Sequence, residues 1–413
     1  MTTFRTLDDL GDIMGRRALV RVDFNVPMKG GAVTDDTRLR VSVPTVTELA
    51  EQGAVVLLLA HLGRPEGSRP PDLSLSLVAR AYSETLDHPV RFIKDCVGKV
   101  AADAIAQMRS GEIAVLENTR FHPGEELNDP TFAAAMAALG DFYVNDAFSA
   151  AHRAHASTEG LAHLLPAYAG RAMEAELKAL DLALGNPARP LAAVVGGAKV
   201  STKLKVLLNL VAKVDHLSLG GGMANTFLTA RGVDIGRSLA EHDLKDAALE
   251  ILAAAERAGC TVHLPSDVVV AKELAPNPPS MRTSLASAVA ADEMILDVGP
   301  ATTRLLAKLL KNCRTLVWNG PLGAFEIPPF DRATFSLVKS AAALTKAGML
   351  VSVAGGGDTA AAIGLVRASA DFTFVSTAGG AFLEWMEGKD LPGVKALESA
   401  WADHNGNAAA DLH

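Results

Sequence analysis

Short apolar runs rich in Val, Ile and Leu recur along the chain, and each stops in a polar or glycine-bearing turn. The first series is ALVRVDFN (18–25), AVVLLLAH (54–61), VRFI (90–93), IAVLENTR (113–120) and FYVNDAF (142–148). The second is LAAVVGG (191–197), HLSLGG (216–221), TVHLPSDVVVA (261–271), MILDVG (294–299), TLVWNG (315–320), MLVSVAGG (349–356) and FTFVST (372–377). Within a run the apolar residues are nearly continuous rather than alternating, which is the pattern of parallel strands buried on both faces. Between most runs lie Ala- and Leu-rich stretches such as PTFAAAMAALG and LKDAALEILAAAERAG. Strands alternating with helices predict an α/β fold built on parallel sheets.

The runs outnumber what one twisted sheet usually carries. The expectation is therefore two Rossmann-like lobes, each a parallel β-sheet flanked by helices, joined by a hinge helix. The break is placed at 170, with residues 1–170 as the N-terminal lobe and 171–389 as the C-terminal lobe. Just past it, Met173, Leu177, Leu180 and Leu184 fall on one helical stripe, and Glu174, Glu176, Lys178 and Asp181 fall off it. Gly185-Asn186-Pro187 stops that helix. A helix joining two lobes can act as a hinge; an ordinary surface helix is the plain alternative. The tail WADHNGNAAADLH is polar and is expected to be partly ordered at best.

Composition narrows the class. The 413 residues carry a formal charge of −8, so the basic excess typical of a nucleic-acid binder is missing. Cys96, Cys260 and Cys313 lie far apart with no C-x-x-C pair, which fits a reducing compartment and no disulfide framework or zinc site. The opening residues lack a basic segment followed by an apolar one, and AVVLLLA is too short to cross a bilayer. A cytoplasmic protein with no nucleic-acid or membrane partner is expected.

In open α/β sheets ligands bind outside the carboxyl ends of the strands. In the first half of the chain those ends are basic and polar. RVDFNVP supplies Arg21, Asp23 and Asn25, and Arg38 lies in the following turn. AHLGRP supplies His61 and Arg64, LENTRFH supplies Arg120 and His122, and NDAFSAAHRAHAS supplies His152, Arg153 and His155. A lone arginine is most often a surface ion pair. Arg or His at four successive strand ends instead marks the seat of a small, highly anionic ligand, because the guanidinium fork matches carboxylate and phosphate. The spacing of His152 and His155 also admits a metal, but no third ligand with suitable spacing accompanies them.

In the second half the strand ends are glycine-rich: VVGGAKVSTK, LGGGMANTF, WNGPLGAFE, AGGGDTA and STAGGAF. Glycine after a strand lets the backbone approach a ligand, and the helix that follows offers free N–H groups to phosphate. Tight strand–helix packing explains one such turn equally well; five of them point to a nucleotide. None is the G-x-x-x-x-G-K-[ST] loop. Gly355, Gly357 and Ala360 in SVAGGGDTAAAIG loosely fit a dinucleotide fingerprint, yet the next strand ends in Ser376 and Thr377 where that fingerprint needs an acid.

These motifs, in this order, resemble phosphoglycerate kinases: RVDFNVP, AHLGRP, LENTRFH, NDAFSAAHRAHAS, GGAKVSTK, GGGMANTF, LDVGP, WNGPLGAFE, GGGDTA and STAGGAFLEWMEGKDLPGV. The resemblance runs from about Arg17 to Leu397. It implies reversible phosphoryl transfer from 1,3-bisphosphoglycerate to ADP, giving 3-phosphoglycerate and ATP, with Mg²⁺ accompanying the nucleotide. By motif position, Asp23, Asn25, Arg38, His61, Leu62, Gly63, Arg64, Arg120 and Arg153 would hold the phosphoglycerate, with Arg21 supporting them. Lys199, Lys203, Glu326, Gly356, Gly357, Asp358 and Thr359 would hold the nucleotide, and Asp358 would face the metal. The resemblance also implies a monomer, and a final segment, 390–413, that returns to the N-terminal lobe.

Phosphoryl transfer asks a protein mainly for positioning and charge neutralisation. Arg38 and Lys203, one from each lobe, are the candidates for the charge on the moving group. Three positions depart from the family pattern: Ala378 for Gly, Thr119 for Leu and Ser149 for Gly. Ala378 is tolerable there if its φ is negative. Two other functions stay in view, an NAD-dependent dehydrogenase and a non-enzymatic two-lobed protein that binds a phosphorylated metabolite.

Overall fold

The computed structural model describes residues 4–410, and side chains through residue 402. The chain forms two compact units, one from the chain up to Leu177 together with the segment from Asp390 onward, the other from Lys178–Lys389. The division falls inside the helix Arg171–Leu180, which runs on into a π-type turn, Asp181–Gly185.

The first unit is built on six parallel strands in the order Val90–Ile93, Ile113–Leu116, Val55–Leu59, Arg17–Arg21, Phe142–Asn145 and Ala167–Ala169. Val55–Leu59 is buried throughout, as its unbroken apolar sequence requires. Val20, Val22, Phe24, Val56 and Leu58 pack with Leu39, Val46 and Leu49 of the helix Thr37–Glu51, and with Tyr82 of the helix Ser76–Leu86. Burying one such Val, Leu or Phe side chain is worth about 1.5–3 kcal/mol. Arg21 stands level with Leu59 on one side and Asn145 on the other. That register brings the residues following three central strands to one edge.

The segment after Asp390 forms the helix Pro392–Ala410, which packs on the strand Ala167–Ala169 and on the turn Gly160–His163. The Gly393 N–H donates to the Ala151 carbonyl at 2.9 Å, and the Arg5 guanidinium donates to the Ala400 carbonyl at 3.0 Å. Residues 411–413, the end of the tail expected to be partly ordered, lie outside the described residues.

The second unit has its own sheet of six parallel strands, in the order Thr261–His263, His216–Leu219, Leu191–Val195, Thr315–Asn319, Val351–Gly355 and Phe374–Ser376. Beside it lies a three-stranded sheet, Arg282–Leu285, Asp267–Ala271 and Met294–Val298, in which both pairings are antiparallel. The run 261–271, read as one strand, is two that belong to different sheets. Pro265 lies between them and has no N–H to give a ladder. The run 294–299 was expected to be parallel and is antiparallel, since apolar content fixes burial and not direction.

Candidate active site

The cationic edge of the first unit is held by two groups of hydrogen bonds and ion pairs. Arg21, at the end of its strand, is only 1% exposed. Its Nε donates to Ser157 Oγ at 2.8 Å and one terminal nitrogen donates to His61 Nδ1 at 2.8 Å. The other terminal nitrogen donates to the Val22 carbonyl. Ser157 in turn donates from its N–H and its hydroxyl to the wholly buried Glu125, at 3.0 and 2.5 Å. Arg21 is thus a buried positioning group with a carboxylate behind it.

A guanidinium can only donate. His61 Nδ1 must therefore accept, which leaves the proton on Nε2. Burial, and then the charges of Arg21, Arg120, Arg153 and His155, hold the His61 imidazole well below its usual range. His155 is pushed down to about 4 by burial and by Arg120, Arg21 and Arg153. At neutral pH both rings are uncharged donors among guanidinium cations.

Around this centre Arg120 donates to the Gly63 carbonyl at 2.8 Å and pairs with Glu126 at 3.1 Å. Arg38, at the start of its helix, pairs with Asp23 at 3.1 Å and donates to the Asn25 carbonyl at 2.9 Å. Asn25 Oδ1 accepts from the Gly63 N–H at 2.9 Å, which fixes the turn Leu62-Gly63-Arg64. Arg64 is exposed and Arg153 half-buried, its Nε on His152 at 3.1 Å. Asp23, Asn25, Arg38, Gly63 and Arg120 are linked directly by these bonds, while His61 is held by Arg21. His122 turns elsewhere, to Asp95 at 2.7 Å and Arg69 at 3.0 Å.

Among the described residues, the one trio with metal-ligand atoms close together is Asp95, Cys96 and His122, within 4.8 Å. It excludes His152 and His155. Asp95 is already engaged by His122 and, at 3.5 Å, by Arg69.

Sequence reasoning missed Glu125 and Ser157, whose partners are remote in the chain. It also left Ser149 without a role. The Ser149 hydroxyl donates to Asp23 Oδ2 at 2.5 Å, so the residue standing where glycine is common has joined the Asp23–Arg38 pair. Thr119 is buried, its hydroxyl on the Ala60 carbonyl at 3.3 Å.

The second unit presents its glycine turns at the carboxyl edge of five adjacent parallel strands. Gly196 admits no side chain, since a Cβ there would lie 1.8 Å from the Pro321 carbonyl oxygen. Gly356 has φ +96°, a conformation that favours glycine, and leads into the helix Gly357–Leu365. Asp358 in its first turn is exposed, and among the described residues its carboxylate has no hydrogen-bond or ion-pair partner. Thr359 is buried, its Oγ1 accepting from the Gly320 N–H at 2.7 Å, which ties two neighbouring turns together. Ala378 has φ −93°, so its methyl is free of backbone strain.

Lys203 reaches back along the edge, its Nζ 2.6 Å from the Gly196 carbonyl and 3.3 Å from that of Asn319. Burial lowers its ammonium to about 8, and Asp358 opposes that shift. Asn319, another residue without a sequence-derived role, donates to the Gly355 carbonyl at 2.8 Å. Lys199 and Glu326 are exposed. A cavity of about 510 Å³ opens beside this edge, lined in part by Gly197, Gly221, Gly222, Leu239, Glu326 and Asp358. It is large enough for a small-molecule ligand.

Two parallel-sheet units, one with a cationic edge and one with a glycine-rich edge, have the make-up of an α/β phosphotransferase. Residues 7–389 match the family model described as phosphoglycerate kinase, and the chain belongs to the phosphoglycerate kinase family. The phosphoglycerate kinase of Rhizorhabdus wittichii is 69% identical over 396 residues, covering 96% of this chain and 100% of that one. That of Zymomonas mobilis is 67% identical, with 96% and 100% covered. The solved phosphoglycerate kinase of Coxiella burnetii matches with TM-score 0.89 at 43% identity, covering 96% of this chain and 99% of that one. The Pyrococcus horikoshii enzyme matches with TM-score 0.78 at 31% identity and the same coverage. The family assignment does not favour the dehydrogenase or binding-protein readings.

Proposed function

We propose that the chain transfers the acyl phosphate of 1,3-bisphosphoglycerate to ADP, reversibly, giving 3-phosphoglycerate and ATP, and that it does so as a cytoplasmic monomer. The observation that carries this reading is the chemical division between the two sheet edges: guanidinium and imidazole donors on one, glycine turns with a buried lysine on the other.

Asp23, Asn25, Arg38, His61, Leu62, Gly63, Arg64, Arg120 and Arg153 hold the phosphoglycerate. The neutral His61 donates from Nε2 and the arginines neutralise charge. Lys199, Lys203, Glu326, Gly356, Gly357, Asp358 and Thr359 hold the nucleotide, whose phosphates face the N–H groups at the start of the helix Gly357–Leu365. Lys203 and Arg38 balance the charge on the phosphoryl group in flight. Closure that brings the two ligands in line and excludes water completes the reading.

Mg²⁺ usually takes one or two carboxylates and otherwise waters and phosphate oxygens. Asp358, an exposed carboxylate without a hydrogen-bond or ion-pair partner among the described residues, fits that demand. The ion would screen the nucleotide's phosphates from this carboxylate and help neutralise the transferred group.

ATP formation from ADP and 1,3-bisphosphoglycerate, measured with and without EDTA, tests the activity and the metal together. Turnover is expected to vanish with EDTA and return with Mg²⁺; no ATP under either condition would overturn the reading. Lys203→Met is expected to keep much of its ADP affinity and lose roughly 10²–10³ in kcat. Near wild-type turnover in that variant would remove Lys203 from the mechanism.

A further inference from the structure

The second unit holds another cavity, of about 320 Å³, away from the glycine-rich edge. Strands Asp267–Ala271, Arg282–Leu285 and Met294–Val298 contribute to its wall, as do the first turns of the helices Pro300–Leu310 and Arg332–Lys346. Its size lies at the low end for small-molecule sites, roughly 300–1,000 Å³. Val269, Met281 and Pro329 give it an apolar side, and three guanidiniums, Arg282, Arg304 and Arg332, also line it.

The three arginines are not equivalent. Arg282 is committed to Glu293 at 2.6 Å. Arg304 and Arg332 are exposed, and among the described residues neither guanidinium has a hydrogen-bond or ion-pair partner. Both helix starts are already capped: Asp267 accepts from the N–H groups of Ala301 and Thr302, and Asp297 from that of Ala333. The attraction for an anion therefore comes from the side chains. Asp297 is the one carboxyl in the lining. Burial pushes it up to about 8, so it is largely uncharged at neutral pH and does not oppose an anion.

We propose that this cavity is a second ligand site, for a small organic phosphate whose apolar body packs on Val269, Met281 and Pro329 while Arg304 and Arg332 take its phosphate. A guanidinium binds phosphate oxygens through two parallel N–H donors, and two of them at one mouth favour a dianion over a neutral molecule of the same shape. Asp297 and Val298 line both this cavity and the larger one, so the two share a wall, and the rest of their linings differ.

The test is calorimetric titration of the full chain with phenyl phosphate while saturating Mg²⁺, ADP and 3-phosphoglycerate occupy the proposed active site. Wild type is expected to bind it, and phenol at least about tenfold more weakly. The double variant Arg304→Ser, Arg332→Ser is expected to lose at least about tenfold in affinity for phenyl phosphate. Ser336→Trp, which fills the cavity and leaves both arginines in place, should abolish binding. Turnover within about twofold of wild type will confirm that the variants are folded, as none of these residues belongs to the catalytic machinery. No heat from wild type, equal affinity for phenol, or an affinity unchanged in either variant would overturn the proposal. If the turnover of a variant falls further, Arg304→Lys with Arg332→Lys takes its place; restored turnover with phenyl phosphate affinity still within twofold of wild type would count against the guanidinium fork.

Discussion

At the scale of single residues, the site works by arranging charges that elsewhere would be expensive. Lys203 is the clearest case. Burial lowers its ammonium to about 8, from an ordinary value of 10.5. A phosphate ligand needs the cation, so kcat/KM for ADP is expected to fall as pH rises through about 8 and to hold steady below it. A pH profile that stays flat to pH 9 would count against the role. Ser149 offers a second check. Its hydroxyl holds Asp23 at 2.5 Å while Arg38 holds the same carboxylate at 3.1 Å. Ser149→Ala should leave that ion pair in place but take one of its two donors from Asp23 Oδ2, raising the KM for 3-phosphoglycerate about five- to tenfold with little change in kcat. An unchanged KM would make the bond incidental. The glycines and arginines of the site were legible in the sequence because each has a geometric or electrostatic use that few other residues share. Ser149, Ser157 and Glu125 were not. A serine carries no periodic signal, and Ser149 and Asp23 stand 126 positions apart.

At the scale of elements, continuous apolar runs located the buried strands well, because burial on both faces leaves no polar positions. The same logic failed where burial is partial or the strand short. Ala167–Ala169 is three residues inside a stretch read as a boundary, and Arg282–Leu285 is mostly exposed and polar. The helix Arg171–Leu180, by contrast, was legible from its stripe, but its anchorage was not. Asp146 Oδ1 accepts from the N–H groups of Ala172 and Met173 at 2.9 and 3.2 Å. Thr45 Oγ1 accepts from that of Arg171 at 2.8 Å. Burial nevertheless dominates and raises the Asp146 carboxyl to about 7. Between its ordinary 3.8 and about 7 the native state keeps a proton that the unfolded chain has released. This group's contribution to stability therefore falls as pH rises through that window. Asp146→Asn keeps an acceptor for the helix and should flatten that part of the pH–stability curve. Asp146→Ala should cost about 1–2 kcal/mol in denaturant melts. Parallel pH–stability curves for wild type and the Asn variant would refute the assignment.

At the scale of the whole molecule, two units with separate cores need not unfold in one step. ADP should raise the melting transition of the unit Lys178–Lys389, and 3-phosphoglycerate that of the other unit. Ligand at about a hundred times its Kd adds roughly 2.7 kcal/mol to whichever unit binds it. Calorimetry with each ligand alone reads this directly, and identical responses to the two would contradict the division of labour. The helix Pro392–Ala410 gives the arrangement a direction in time. Chains emerging from a ribosome generally complete their N-terminal domain first. Here Gly393 bonds to Ala151, beside the loop that carries Arg153, so the first unit waits for residues made after the second. The unit Lys178–Lys389 has all its strands already synthesised by then. Vectorial synthesis thus favours a nascent chain whose unit Lys178–Lys389 is finished before the other, and a chain cut short before Asp390 would leave the Arg153 loop without its backing.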